Sequence, residues 1–145
     1  MAEITIQGID ALMRKLNNAQ DVNNVLRPPM QRSVFRLQRD MAQYPPARPG
    51  SRYVRGRGWA NAQGRVTRFT SENLGKKWTT RIKESGQGLT GKVGNKVSYG
   101  PFVQSERFQA AIHRNRWLTD QRAVDNNRQR IVDDFEQAIQ RALDE

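Results

Sequence analysis

The stretch from Pro45 to Asn73 constrains this chain most. It carries Pro45, Pro46, Pro49, Gly50, Gly56, Gly58 and Gly64. Proline fixes φ and removes a backbone donor, and glycine adds conformational freedom. A long helix or a central strand cannot run through such a segment. It reads as a long loop at about 45–73 that separates two halves with regular periodicity. Arg48, Arg52, Arg55, Arg57, Arg65 and Arg68 are interleaved there with Tyr53, Trp59 and Phe69. A loop of this length inside a small domain is usually functional or ordered by a partner.

Before the loop, Ile4 and Ile6 alternate with polar residues, which predicts a short strand ended by Gly8. Ile9, Leu12, Met13 and Leu16 repeat at helical spacing and predict a helix over about 9–18. Pro28 and Pro29 suit the first turn of a helix better than its interior. The main helix is therefore expected from about Pro28 to Gln43, with Met30, Val34, Leu37 and Met41 inward. Tyr44-Pro45-Pro46 stops it.

After the loop, Trp78 to Lys83 and Leu89 to Val93 read as two strands of a hairpin, joined by the turn cluster at 84–88. Gly94-Asn95 turns the chain, and Lys96 to Tyr99 is a candidate third strand. Pro101 to Gln104 fits one helical turn. Thr119 is a cap for a final helix over 120–143, about 36 Å long at ~1.5 Å per residue. Its apolar side is Val124, Ile131, Phe135, Ala138, Ile139, Ala142 and Leu143. The fold class is α+β: a small antiparallel sheet of hairpin plus edge strands, two main helices, the Arg-rich loop and a long C-terminal helix. No linker divides residues 1–145 into two cores, so a single domain is expected.

Charge adds a direction. The net charge is +11 over 145 residues. Residues 27–116 hold nineteen basic and four acidic side chains, while residues 117–145 hold four basic and seven acidic. A positive field of this kind attracts nucleic acid or an acidic protein surface. Only 36% of residues are apolar, so neighbouring subunits are expected to contribute to stability. No apolar run reaches the ~20 residues of a membrane span. Met1 to Ile6 lacks the order of a signal peptide.

The residues give no case for catalysis. There is no cysteine and one histidine, His113, which reads as a structural hydrogen-bonding residue. No carboxylates cluster around it to complete a metal site. Arg55-Gly-Arg-Gly58 lacks the phosphate-loop pattern. No cofactor, metal or catalytic residue is expected. Trp78 and Trp117 read as packing residues. Trp59, between Gly58 and Ala60, reads as an intersubunit anchor, since buried aromatics dominate interface energetics.

The order of these features resembles the phage neck and tail-component family found beside head-closure and tail-terminator genes in long-tailed phages. Ile4-Thr-Ile-Gln-Gly-Ile9 with a short helix resembles its opening. Tyr44-Pro45-Pro46 before an Arg-rich stretch resembles its passage from helix to loop. Ser71-Glu-Asn-Leu74 with Trp78 resembles its approach to the hairpin. Val97-Ser-Tyr99-Gly-Pro-Phe-Val103-Gln104 resembles its YAxxV segment, with Gly100 where alanine is usual. Gln109-Ala-Ala-Ile-His113 with Arg116-Trp117 resembles a signature of one branch. The stretch between Pro46 and Trp78 is longer than usual for the family and richer in Arg and Gly.

The resemblance implies a virion structural protein without a reaction, made and assembled in host cytoplasm. It implies a ring at the head–tail junction, a hexamer to match the tail or a dodecamer to match the connector. Head-closure or connector proteins would lie on one side and tail-terminator or tail-tube proteins on the other. The charge pattern agrees, because head-to-tail contacts between unlike faces close a ring. Arg48, Arg52, Tyr53, Arg55, Arg57, Trp59, Arg65, Arg68 and Phe69 are the expected intersubunit or partner contacts. Lys76, Lys77, Arg81 and Lys83 are candidates to face genomic DNA in the lumen. The alternative is a stand-alone basic nucleic-acid-binding protein.

Overall fold

The computed structural model describes residues 2–6, 10–16, 19–46, 48–54, 57–69, 73–85 and 88–145. Its elements run β1 (Ala2–Thr5), α1 (Asp10–Lys15), α2 (Ala19–Met41), β2 (Tyr53–Val54), β3 (Gly58–Ala60), β4 (Val66–Phe69), β5 (Trp78–Ser85), β6 (Gly88–Asn95), α3 (Gly100–Gln104) and α4 (Asp120–Asp144). The architecture is α+β, with two small antiparallel sheets. Gly8 and Ile9, assigned above to a strand end and a helix start, lie outside the described residues.

The helix α2 is longer than expected. It begins at Ala19 and runs through Pro28 and Pro29. Each proline removes the bond to the carbonyl four residues earlier, at a cost of ~3 kcal/mol. The reason it continues is burial. Val22 and Leu26 extend the stripe of Met30, Val34, Leu37 and Met41, and all six are in the core. Burying each of the two added side chains contributes ~1.5–3 kcal/mol, which is of the same size as the proline penalty. The Ser33 hydroxyl donates to the Pro29 carbonyl at 2.8 Å, so this buried group is satisfied.

The stripe packs on β6 of the first sheet, whose order is β1-β6-β5. Leu89, Gly91 and Val93 point inward along β6 and are buried. Gly91 is required by the close approach of α2. A Cβ there would overlap the Met30 sulfur and sit 2.6 Å from Val34 Cγ1. The third strand is not residues 96–99, as expected, but β1, which pairs with β6 from Ala2↔Val93 to Thr5↔Thr90. Asn95 diverts the chain after β6. Its amide donates to the Leu74 carbonyl at 2.6 Å and its Oδ1 accepts from Val97 N at 2.9 Å.

The helix α4 lies antiparallel to α2, because Asn127 reaches Asp40 while Asp134 pairs with Arg36. Thr119 caps it, its hydroxyl accepting from Arg122 N at 3.3 Å. Ile131 and Phe135 are buried as foreseen. Ala123 and Asn127 share that buried face and were not foreseen.

The long loop expected at about 45–73 is in fact ordered in part as a second sheet, β2-β3-β4. Turn chemistry makes this possible. Gly58 and Gly64 occupy positive φ, at 132° and 79°. Asn61 Oδ1 accepts from Gln63 N and Arg65 N at 3.1 and 2.9 Å, closing the β3–β4 turn.

Candidate interaction surfaces

The second sheet forms an arm. Tyr53 pairs with Trp59 and Trp59 with Arg68, so the three share one face. The Tyr53 and Trp59 rings meet edge to face at 5.3 Å. Trp59 keeps 46% of its surface exposed. Arg48, Arg52, Arg57, Arg65 and Arg68 are all exposed. No Asp or Glu occurs between Asp40 and Glu72, so nothing in the arm neutralises them. Arg55 lies outside the described residues. Phe69 contributes backbone pairing with Gly58, and its side chain is not described.

The base of the arm is tied to the body. Arg48 donates to the Ile112 carbonyl at 2.8 Å, and Arg116 donates to the Pro46 carbonyl at 3.0 Å. Tyr44 packs edge to face on Trp117 at 5.2 Å, and its hydroxyl accepts from Gly75 N at 2.8 Å. Between arm and body lies a cleft of about 390 Å³, whose aromatic walls are Tyr44, Tyr53, Trp59, Tyr99 and Trp117. Burial and then the Arg116 and Arg48 charges hold the His113 imidazole below its ordinary pKa. His113 was expected to hydrogen-bond structurally. Its backbone carbonyl accepts from Trp117 N at 3.1 Å, a bond that does not involve the imidazole. Its ring Nδ1 is buried without a hydrogen-bond partner among the described residues.

Two glutamines, which the sequence offered only as parts of the resemblance motifs and with no role, brace the segment behind the cleft. Gln104 is buried and donates to the carbonyls of Met41 and Leu118 at 2.8 and 3.2 Å. Gln109 donates to the Val103 carbonyl at 2.7 Å, with Trp117 O at 3.3 Å. Together they hold the irregular segment 99–118 against α2 without a long helix or strand.

The four candidate DNA-facing residues divide into two places. Arg81 and Lys83 alternate outward on β5, and both are exposed. Lys76 and Lys77 lie at the 3-10 turn just before it. Lys92, not foreseen, stands directly opposite Arg81. The acidic residues Asp125, Asp133 and Glu136 lie on α4 away from its buried Ala123, Asn127, Ile131 and Phe135.

Among the described residues no helix is long and apolar enough to cross a membrane. No cluster of His, Cys, Asp and Glu there could hold a metal ion. The chain matches no protein-family model, no curated protein and no solved structure.

Proposed function

We propose that this chain is a structural subunit of a ring at the head–tail junction of a tailed phage, joining the tail to the capsid connector. The observation that carries the reading is the arm. It is a separate sheet with exposed arginines, no carboxylate and a half-exposed tryptophan on one face. Within the body, α4 presents Asp125 and Glu136 to solvent. A surface with an aromatic anchor and exposed guanidiniums is suited to an acidic neighbour, because Arg binds carboxylates in a planar fork.

In this reading the arm of each copy docks on the exposed carboxylates of α4 in the next, Glu136 and Asp125, the latter exchanging its Arg128 partner. Unlike faces in repeated contact generate a closed ring when the rotation closes. The virion neck is then the protein's location, and the connector and tail proteins are its partners above and below. The order of the motifs around Tyr44-Pro45-Pro46, Trp78 and Tyr99 to Gln104 supports the same reading.

Negative-stain electron microscopy of the purified chain, alone and with connector particles, tests it. Closed rings are expected in at least one of the two samples. Monomers alone in both would refute the assignment.

A further inference from the structure

The outer face of the first sheet is not used by the arm. Strand alternation places Thr79, Arg81 and Lys83 of β5 on it. Their partners on β6 are Gly94, Lys92 and Thr90. Glu3 and Thr5 of β1 complete the face. The opposite side of the sheet packs on α2, so this side is open to solvent.

We propose that this face is a phosphate-binding surface for duplex DNA, which it holds by the backbone without reading sequence. Residues two apart on a strand are separated by ~6.8 Å, and adjacent strands by ~4.8 Å. The backbone positions of Arg81, Lys83 and Lys92 therefore lie about 5–8 Å apart on one face, and their cations cluster there. Duplex DNA offers a phosphate every ~1.7 Å of axis, so each cation can meet its own. The backbone bond from Lys96 N to Lys77 O at 3.1 Å brings Lys77 and Lys96 together at the end of the sheet, and both are exposed. This extends the positive strip toward Lys76.

Glu3 is the one carboxylate on this face among the described residues. It pairs with Lys92 at 3.3 Å, and both side chains are about half exposed. Such an exposed pair is weakly held and screened, so phosphate can compete for Lys92. Glu84 lies on the other side of the sheet and is engaged by Arg27. The described side chains of the face are otherwise threonines, which can donate hydroxyl hydrogen bonds to phosphate oxygens. No aromatic or aliphatic side chain stands among them. That removes a stacking platform for single strands and an apolar anchor for a protein partner.

The test is fluorescence anisotropy of the full chain with a 30-base-pair duplex of random sequence, across a salt series. Binding should fall steeply with salt. The triple variant Arg81→Gln, Lys83→Gln, Lys92→Gln should bind at least about tenfold more weakly, with a log–log salt slope shallower by ~3. An arm variant, Arg52→Gln with Arg57→Gln, Arg65→Gln and Arg68→Gln, should keep most of the binding. Circular dichroism confirms that each variant is folded, and surface changes of this kind rarely unfold a domain. Four results overturn the proposal: no binding by the unmodified chain, an unaffected triple variant, loss confined to the arm variant, or equal competition by polyglutamate at matched charge. The proposal goes beyond the ring reading and is separable from it. Rings without sheet-dependent DNA binding sink this proposal alone, and sheet-dependent binding without rings sinks the ring alone.

Discussion

The Arg116 guanidinium donates to the Pro46 carbonyl at 3.0 Å, across 70 residues of sequence. With Arg48 on Ile112 O, this bond fixes where the arm leaves the body. The double variant Arg48→Gln, Arg116→Gln should free the arm base while leaving the α2–α4 core intact. Hydrogen exchange at Ser51 to Ala60 should rise at least about tenfold, with the melting temperature nearly unchanged. Unchanged exchange would show that the two bonds do not hold the arm.

Gly91 and Gly94 provide a matched pair on β6. Gly91→Ala drives a methyl group into Met30 and Val34 and should destabilise the fold by about 1–3 kcal/mol. Gly94→Ala meets only the Thr79 hydroxyl oxygen, at 4.0 Å. It should be neutral or stabilise by up to ~1 kcal/mol, because alanine loses less backbone freedom on folding. Urea denaturation of both variants checks the ordering.

Asn127 is a buried polar residue that links the two long helices. Its amide donates to Asp40 Oδ2 at 2.9 Å and to the Ala123 carbonyl at 2.8 Å. Asn127→Ala removes both bonds, leaves a cavity and should cost about 1–3 kcal/mol. Asn127→Asp should cost more, because it sets a second carboxylate against Asp40 in a buried position. A smaller loss for the aspartate than for the alanine would contradict this.

His113 predicts a pH dependence with a definite sign. Its folded pKa lies below the ordinary imidazole value of 6.5, through burial and the Arg116 and Arg48 charges. The unfolded chain therefore takes up the proton first as pH falls. Stability from this group is fully present above 6.5 and declines as pH drops from there toward the folded value. His113→Gln should flatten that window. Thermal melts at closely spaced pH values compare the two proteins, and equal slopes between about pH 5 and 7 would remove the histidine from the account.

Long periodic elements were legible in the sequence. The Ile131–Phe135 face and the stripe from Met30 to Met41 each repeat a local rule several times, and the Thr119 cap is itself a local signal. What escaped depended on distance or on competition between terms. Nothing local reveals that β1, eighty-odd residues upstream, completes the hairpin sheet. Pro28 and Pro29 signalled a helix start, and burial of Val22 and Leu26 overrode them. The arm was read as a loop because β2 has two residues and β3 three, too short to show alternation. Lys92 was missed as a partner of Arg81 because only the register of β5 and β6 sets them side by side. The aromatic cleft joins Tyr44 and Trp117 from distant segments, so its residues carried no shared spacing.

The central claim is that the arm of one copy seats on its neighbour around a common axis. An electron-microscopy map of the intact particle's neck measures this most directly. It should show a closed ring of this chain, with Trp59 and the arm arginines against the α4 carboxylates of the adjacent copy. A neck without density for the chain, or a ring in which every arm touches only its own body, would contradict it.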